Sequence, residues 1–168
     1  MTRMITKELE YAIQRKYFNT SKLITTNVTA GKIVSHECDI LIVNKSNYLL
    51  EFELKVSKTD LLADLKKQHR HKCKNIRQTY FVIPVELKEC ISLIPIDFGV
   101  IVVKRQIIEK YDGEEVYYLC QIKRKPLTNK TNKITSYMFL ELSRLASMRY
   151  WTCKKNELIR LGFLTKKS

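Results

Sequence analysis

The sequence predicts an α/β protein with a mixed sheet flanked by helices, and three neighbouring stretches carry this prediction. Residues 39–55 are two apolar runs around a polar turn at 44–47, which is the pattern of a β-hairpin. A helical pattern starts near residue 57, and residues 79–84 form a short, fully apolar run. A strand, a helix and another strand in that order predict a right-handed crossover, so the last strand should join the hairpin in parallel.

The size and charge of the chain limit what it does. Its 168 residues suffice for one domain with a buried core, which we place at about residues 5–105, followed by a C-terminal basic loop and helix at 106–168. The net charge of +14 favours a polyanionic partner, with nucleic acid the first candidate and a ribosomal or membrane-surface role the alternative. No apolar run approaches the ~20 residues that cross a bilayer. Five cysteines without short paired spacing predict reduced thiols in a cytoplasmic protein.

Before the hairpin, the sequence predicts one helix and a polar stretch. Residues 6–18 carry an apolar stripe at helical spacing that includes Leu9 and Ile13. Glu8 and Glu10 flank this stripe on opposite sides, so either side chain could reach a site at its edge. Residues 19–36 are rich in Thr and Asn, with short strand pieces expected at 23–24 and 33–34.

After the hairpin, helical and strand patterns alternate. Ser57 and Asp60 have the spacing of a capping box, and we expect the helix that they begin to run to about residue 75. The remaining expected elements are a short helix at 86–93, strands at 79–84, 98–103 and 116–121, an exposed basic loop at 123–133 and a closing helix at 134–150.

The second arm of the hairpin carries the candidate site. Its charged residues, Glu51, Glu53 and Lys55, alternate with apolar ones and therefore share one face. If the turn closes at 45–47, Asp39 lies opposite Glu53, within one residue of register. The alternative is a solvent-exposed face of an antiparallel sheet with cross-strand charge pairs. The second Glu-x-Lys, at 86–88, has no upstream carboxylate, so the motif by itself is weak.

The residue types at this site suit a hard divalent cation and a phosphodiester. Mg²⁺ and Mn²⁺ take oxygen ligands, so we expect Asp39, Glu53 and the main-chain carbonyl of Leu54 to bind the metal. Lys55 is a compact cation that would orient the attacking water and stabilise charge on the phosphate. A glutamate of the first helix would complete the site.

These motifs resemble a known superfamily. Asp39 followed by Glu53-x-Lys55, after a helix with Glu8 and Glu10, resembles the PD-(D/E)XK nucleases, with Cys38 where that family has proline. The longer runs at 36–41, 53–60, 64–67 and 80–84 resemble the MmcB-like DNA-repair proteins and their small phage relatives. The resemblance implies a restriction-endonuclease-like αβββαβ core and metal-dependent DNA cleavage. It also implies that Asp39, Glu53 and Lys55 are catalytic, with Glu10 preferred over Glu8 as the fourth group.

The helix after the hairpin is the expected DNA-binding surface, because phosphate contacts need basic and polar side chains. The residues assigned to it are Lys58, Lys66, Lys67, Gln68, Arg70, His71 and Lys74. A zinc site formed by His69, His71 and Cys73 with His36 or Cys38 is an alternative, although no tight ligand pair supports it. Trp151 is expected to fasten the C-terminal segment to the core, with base stacking as the alternative.

The sequence therefore favours a DNA nuclease that depends on Mg²⁺ or Mn²⁺ and acts in DNA repair or phage DNA processing. A non-catalytic, basic DNA-binding protein on the same fold is the main alternative, and an RNA-binding accessory protein is a third. DNA is the expected partner in the first two cases. The oligomeric state stays open, since a duplex-cutting enzyme of this size often acts as a homodimer.

Overall fold

A mixed six-stranded sheet forms the centre of the described part of the chain. The computed structural model describes residues 3–29, 31–67, 73–111 and 113–163. Its helices are α1 (Thr6–Tyr17), α2 (Lys58–Leu65) and α3 (Ser136–Arg160), with 3-10 segments at Phe18–Thr20 and Val85–Leu93. Its strands are β1 (Ser21–Val28), β2 (Cys38–Asn44), β3 (Leu49–Leu54), β4 (Ile76–Pro84), β5 (Gly99–Lys110) and β6 (Gly113–Arg124).

The strands lie in the sheet in the order in which they follow along the chain. β1, β2 and β3 pair antiparallel, β3, β4 and β5 pair parallel, and β6 returns antiparallel to β5. The predicted parallel addition of the strand after α2 is confirmed, because β4 pairs in parallel with β3. The predicted class, α/β with a mixed sheet and flanking helices, is confirmed with it.

Apolar side chains cover both faces of this sheet. On one face, α1 packs Leu9 and Ile13 against Phe52 and Val82. The other face carries two separate clusters, one around Leu142 of α3 and one around Leu61 of α2 and Phe81 of β4. Each buried Leu, Ile or Phe stabilises the fold by about 1.5–3 kcal/mol. The gap between the two clusters is where the polar side chains of β3 lie.

Several predicted boundaries are wrong. α2 ends at Leu65 and not near residue 75, because its apolar stripe stops there and the Lys66 N–H bonds the carbonyls of Ala63 and Asp64. Residues 33–34 are buried in a loop and form no strand. β5, β6 and α3 are all longer than expected, since cross-strand pairing and helical hydrogen bonds continue past the buried core. No helix among the described residues is apolar enough over sufficient length to cross a membrane.

Candidate functional site

The turn of the β2–β3 hairpin is fixed by its own polar side chains. The Asn44 Oδ1 atom accepts the N–H groups of Ser46 and Tyr48, each at 3.0 Å. Asn47 takes a left-handed conformation with φ of 65°, which asparagine tolerates better than most residues. The polar turn recognised in the sequence therefore sets the register of the two strands.

This register brings the ends of β2 and β3 together. Ile40 pairs with Phe52, so Asp39 and Glu53 occupy the next positions on the two strands, as predicted. The Leu54 N–H donates to Asp39 Oδ2 at 2.8 Å. Because the N–H and C=O of one strand residue point to the same side, the Leu54 carbonyl also lies on the side of Asp39. The three predicted metal-binding groups thus converge at one end of the hairpin.

The charged face of β3 is buried. All six residues of the strand are buried, and the exposed fractions of Glu51 and Glu53 are 0% and 3%. The alternative of a solvated face with surface charge pairs is therefore wrong. Charged groups in such a place must be paired and hydrogen-bonded, because burying an isolated charge is very costly.

The Lys55 side chain lies among three carboxylates. We call these four residues the Glu53 cluster (Asp39, Glu53, Lys55 and Asp64). The Nζ atom lies 3.0 Å from Glu53 Oε2, 3.4 Å from Asp64 Oδ1 and 4.0 Å from Asp39 Oδ2. Burial alone would lower the pKa of Lys55, but the charges of Glu53, Asp64 and Asp39 outweigh it and raise that pKa above its ordinary value. Lys55 is therefore an ammonium at neutral pH, suited to orienting oxygen atoms and unsuited to act as a base.

Asp64 is a member of this cluster that sequence reasoning missed. Its side chain is 2% exposed and forms ion pairs with both Lys55 and Lys67. The signal was present in the sequence, because Asp64 follows the buried Leu61 by three residues and so shares its helical face. A carboxylate on the apolar side of a helix needs a buried partner, and Lys55 is that partner.

The two glutamates of α1 have different surroundings. Glu8 accepts hydrogen bonds from the Ile5 N–H at 2.8 Å, Tyr118 Oη at 2.9 Å and Arg105 Nη2 at 2.7 Å. Partial burial raises the pKa of Glu8, but these hydrogen bonds outweigh it and lower the pKa overall. Glu8 is thus used to fasten α1 to β5 and β6.

Glu10, in contrast, lies near the Glu53 cluster. It is hydrogen-bonded to Thr26, and its pKa is raised by burial and by the negative charge of Asp39. Asp39 is thus close enough for its charge to act on Glu10, whereas Glu8 is bound to Arg105 and Tyr118.

The site reaches solvent through Asp39, whose side chain is 37% exposed. Asn27 of β1 lies opposite Asp39 of β2, and its carbonyl accepts a hydrogen bond from the Arg149 guanidinium at 2.7 Å. This bond places α3 beside the opening.

Trp151 is 66% exposed, so the prediction that it fastens the C-terminal segment to the core is wrong. A cleft between α1 and α3 is lined by Lys7, Tyr150, Cys153, Lys154, Asn156, Glu157 and Arg160.

The structure describes only four of the seven residues that were predicted to bind DNA. Lys58, Lys66, Lys67 and Lys74 are all exposed, and Lys67 is ion-paired with Asp64. The other members of that set, Gln68, Arg70 and His71, lie outside the described residues, as does His69.

A second polar group lies next to the first, and we call it the Glu51 cluster (His36, Cys38, Glu51 and Thr79). His36 Nε2 and Glu51 Oε1 are 2.5 Å apart, and Thr79 Oγ1 donates to Glu51 Oε2 at 2.8 Å. Burial, followed by the charge of Glu51, raises the pKa of the Cys38 thiol well above its usual range. The zinc alternative combined His36 or Cys38 with His69, His71 and Cys73. His69 and His71 lie outside the described residues, and among the described ones His36 and Cys38 lie next to Glu51.

Comparison with known proteins supports the fold and leaves the function open. No protein-family model matches the chain, and no curated protein matches it. The chain is similar to the solved structure of a protein of unknown function from Silicibacter pomeroyi. The two are 14% identical, the match covers 95% of this chain and 94% of the other, and the TM-score is 0.58. At this identity the likeness concerns the fold alone.

Proposed function

We propose that the protein is a metal-dependent deoxyribonuclease with a restriction-endonuclease-like core and a PD-(D/E)XK type of site. One observation carries the proposal: the Lys55 ammonium lies within 4.0 Å of both Asp39 and Glu53. Asp39 lies near the start of β2 and Glu53 near the end of β3, so both are at the same edge of the sheet. The order of elements from α1 to β4 is αβββαβ, as the resemblance implies. The resemblance further suggests a role in DNA repair or phage DNA processing.

The donor set fits Mg²⁺ or Mn²⁺. Asp39 and Glu53 supply carboxylate oxygens and Leu54 supplies a carbonyl on the same side, so every protein ligand is oxygen. Asp39 is partly exposed, which leaves room for the waters that Mg²⁺ retains. A bound divalent ion would lower the pKa of such a water and neutralise charge on the phosphate.

The protein's own groups have distinct tasks in hydrolysis. Water adds to phosphorus, the bond to the leaving sugar oxygen breaks, and that oxygen takes up a proton to give a hydroxyl and a phosphate monoester. The charged Lys55 donates hydrogen bonds that orient the water and stabilise the phosphate oxygens as their charge grows. Asp64 is a positioning residue, because it holds the Lys55 side chain from α2. Glu10 adds a carboxylate close enough to Asp39 to be affected by its charge.

The charge distribution supports DNA as the substrate. Exposed Lys58 and Lys66 lie at the two ends of α2, which carries Asp64, and the α1–α3 cleft adds Lys7, Lys154 and Arg160. Such groups track phosphates and increase the rate of association without selecting a sequence. A homodimer would let two such sites act on both strands of a duplex.

One feature favours the non-catalytic alternative. Lys55 already neutralises Glu53 and Asp64 in a buried place, so the cluster also makes sense as a structural ion-pair network. In that case the protein would bind DNA through its basic surface without cleaving it.

Conversion of supercoiled plasmid to nicked circles tests the proposal. Wild-type protein with Mn²⁺ should nick the plasmid, whereas protein with EDTA, or the Glu53→Gln variant with Mn²⁺, should not. Glu86→Gln is the matched control, because Glu86 belongs to the second Glu-x-Lys of the chain and is exposed on a 3-10 segment. Branched and single-stranded DNA are tested alongside. Cleavage of none of these DNAs, together with EDTA-insensitive gel shifts, would establish the binding protein instead.

Calorimetry locates the metal independently of cleavage. The Asp39→Ala variant should bind Mn²⁺ at least about tenfold more weakly than wild type, a loss of about 1.4 kcal/mol. Removing one carboxylate ligand leaves too few charged oxygens for tight binding. Unchanged Mn²⁺ affinity would contradict the assignment of Asp39 as a ligand.

A further inference from the structure

We propose that His36, Cys38 and Glu51 form a second metal site, selective for Zn²⁺ or a similar transition-metal ion and separate from the oxygen-only site at Asp39. Among the described residues, these three offer a nitrogen, a sulfur and an oxygen atom that all lie within 4.8 Å of one another. Thiolate and imidazole ligands favour zinc over magnesium.

Tetrahedral coordination needs shifts of about an ångström, because the three ligand atoms lie within 4.8 Å of one another. A tetrahedral Zn²⁺ holds its nitrogen and oxygen ligands about 3.3 Å apart and a thiolate about 3.6 Å from either. His36 Nε2 and Glu51 Oε1 are now 2.5 Å apart, so they need to separate by less than an ångström. His36 lies on the irregular segment before β2, so this separation moves a loop and no strand.

The negative charges of the ligands would neutralise a zinc ion in this buried site. The exposed fractions of His36, Cys38 and Glu51 are 4%, 1% and 0%. With Cys38 as thiolate and Glu51 as carboxylate, the two negative charges neutralise Zn²⁺, so no net charge is buried. Binding also releases the thiol proton to solvent, which makes the affinity rise with pH.

A supporting hydrogen bond already orients the carboxylate. Thr79 Oγ1 donates to Glu51 Oε2 at 2.8 Å, while Glu51 Oε1 faces His36. Metal-binding carboxylates are characteristically held by such outer partners. Cys73 is buried in the same apolar cluster as Cys38, but its thiolate would leave one negative charge uncompensated, so the fourth position suits a neutral ligand such as water.

This site would fasten the loop before β2 directly beside the candidate catalytic residues. Cys38 and Asp39 are consecutive, and Glu51 and Glu53 lie on the same face of β3. Zinc would then stabilise the loop and β2 whether or not the protein cleaves DNA, so this inference stands or fails separately from the nuclease.

Cobalt absorption spectroscopy on chelator-stripped protein is the test, because Co²⁺ bound by a thiolate gives a near-ultraviolet charge-transfer band that oxygen ligands do not give. Wild type and Asp39→Asn should both show the band at one equivalent, and Zn²⁺ should displace the Co²⁺. Cys38→Ala should lose the band, whereas Cys120→Ala, a partly buried thiol on the other face of the sheet, should retain it. His36→Gln should weaken Co²⁺ binding at least about tenfold.

Absence of the band in wild type, or a band that Cys38→Ala leaves intact, would overturn the site and leave His36 and Glu51 as a hydrogen-bonded pair only. If Cys38→Ala does not fold, as checked by circular dichroism, His36→Gln decides, because His36 lies on a loop. Unchanged Co²⁺ affinity in His36→Gln would equally overturn the site.

Discussion

The Glu51 cluster and the Glu53 cluster lie side by side on one face of β3, about 7 Å apart along the strand. Both glutamates are buried, yet the Glu51 carboxylate meets an imidazole, a hydroxyl and a thiol, whereas Glu53 shares the Lys55 ammonium with two further carboxylates. Only the Glu53 cluster reaches solvent, through Asp39. One strand thus carries a closed polar group beside an open one.

Two identical residues, two positions apart on β3, thus acquire different tasks from their neighbours. Glu51 lies opposite Thr79 in the sheet and beneath the loop that carries His36. Glu53 lies at the end of the strand, where α2 and β2 bring Asp64 and Asp39 within reach of Lys55. We therefore expect Glu51 to act mainly on stability and Glu53 mainly on activity.

The largest expected difference is in stability without metal. In EDTA, Glu51→Ala should lower the free energy of unfolding by about 3–5 kcal/mol, because it leaves His36 buried without its carboxylate. Glu53→Ala should cost about 1–3 kcal/mol, since Lys55 keeps Asp64. Urea denaturation measures both. Equal losses in the two variants would break the proposed division between the clusters.

The next effect concerns catalysis. Lys55→Ala should slow plasmid nicking by about 10²–10³-fold, because the oriented cation near the phosphate is gone. Mn²⁺ affinity by calorimetry and DNA affinity by gel shift should stay close to wild type. Lys88→Ala, in the second Glu-x-Lys, should change none of the three. If binding and cleavage fall together in Lys55→Ala, the lysine supports the site as a whole and does not act on the water.

The smallest expected effects separate the glutamates of α1. Glu10→Gln should slow nicking by about tenfold, since it removes a charge beside Asp39 from the reacting centre. Glu8→Gln should leave nicking unchanged and lower the free energy of unfolding by about 1 kcal/mol, the scale of a partly exposed charged hydrogen bond. The opposite pattern would transfer the catalytic assignment to Glu8.

The stability difference between wild type and Glu8→Gln should also depend on pH. The pKa of Glu8 is lowered from 4.5 in the folded protein, so its contribution is full at neutral pH and is lost as the pH falls through that lowered value. Urea denaturation at pH 7 and about pH 3 should therefore show the difference shrinking in acid. A difference that grows in acid would contradict the assigned partners of Glu8.

The local elements of the site follow from the amino-acid sequence. The Asn-rich turn fixed the hairpin register, so that Asp39 opposite Glu53 followed from counting residues on two strands. Alternation put Glu51, Glu53 and Lys55 on one face, and the crossover rule gave the parallel β4. These are short-range features, which depend on hydrogen bonds between residues close in sequence.

Tertiary structure alone decided which residues from distant elements complete each cluster. The packing of α2 on the sheet brings Asp64 to Lys55, and the position of α1, which Glu8 fastens to β5 and β6, brings Glu10 within reach of the charge of Asp39. The pairing of His36 with Glu51 required a loop to fold over β3. Periodicity shows which face of an element is apolar, but the partner that a buried charge finds across the sheet depends on how separate elements pack.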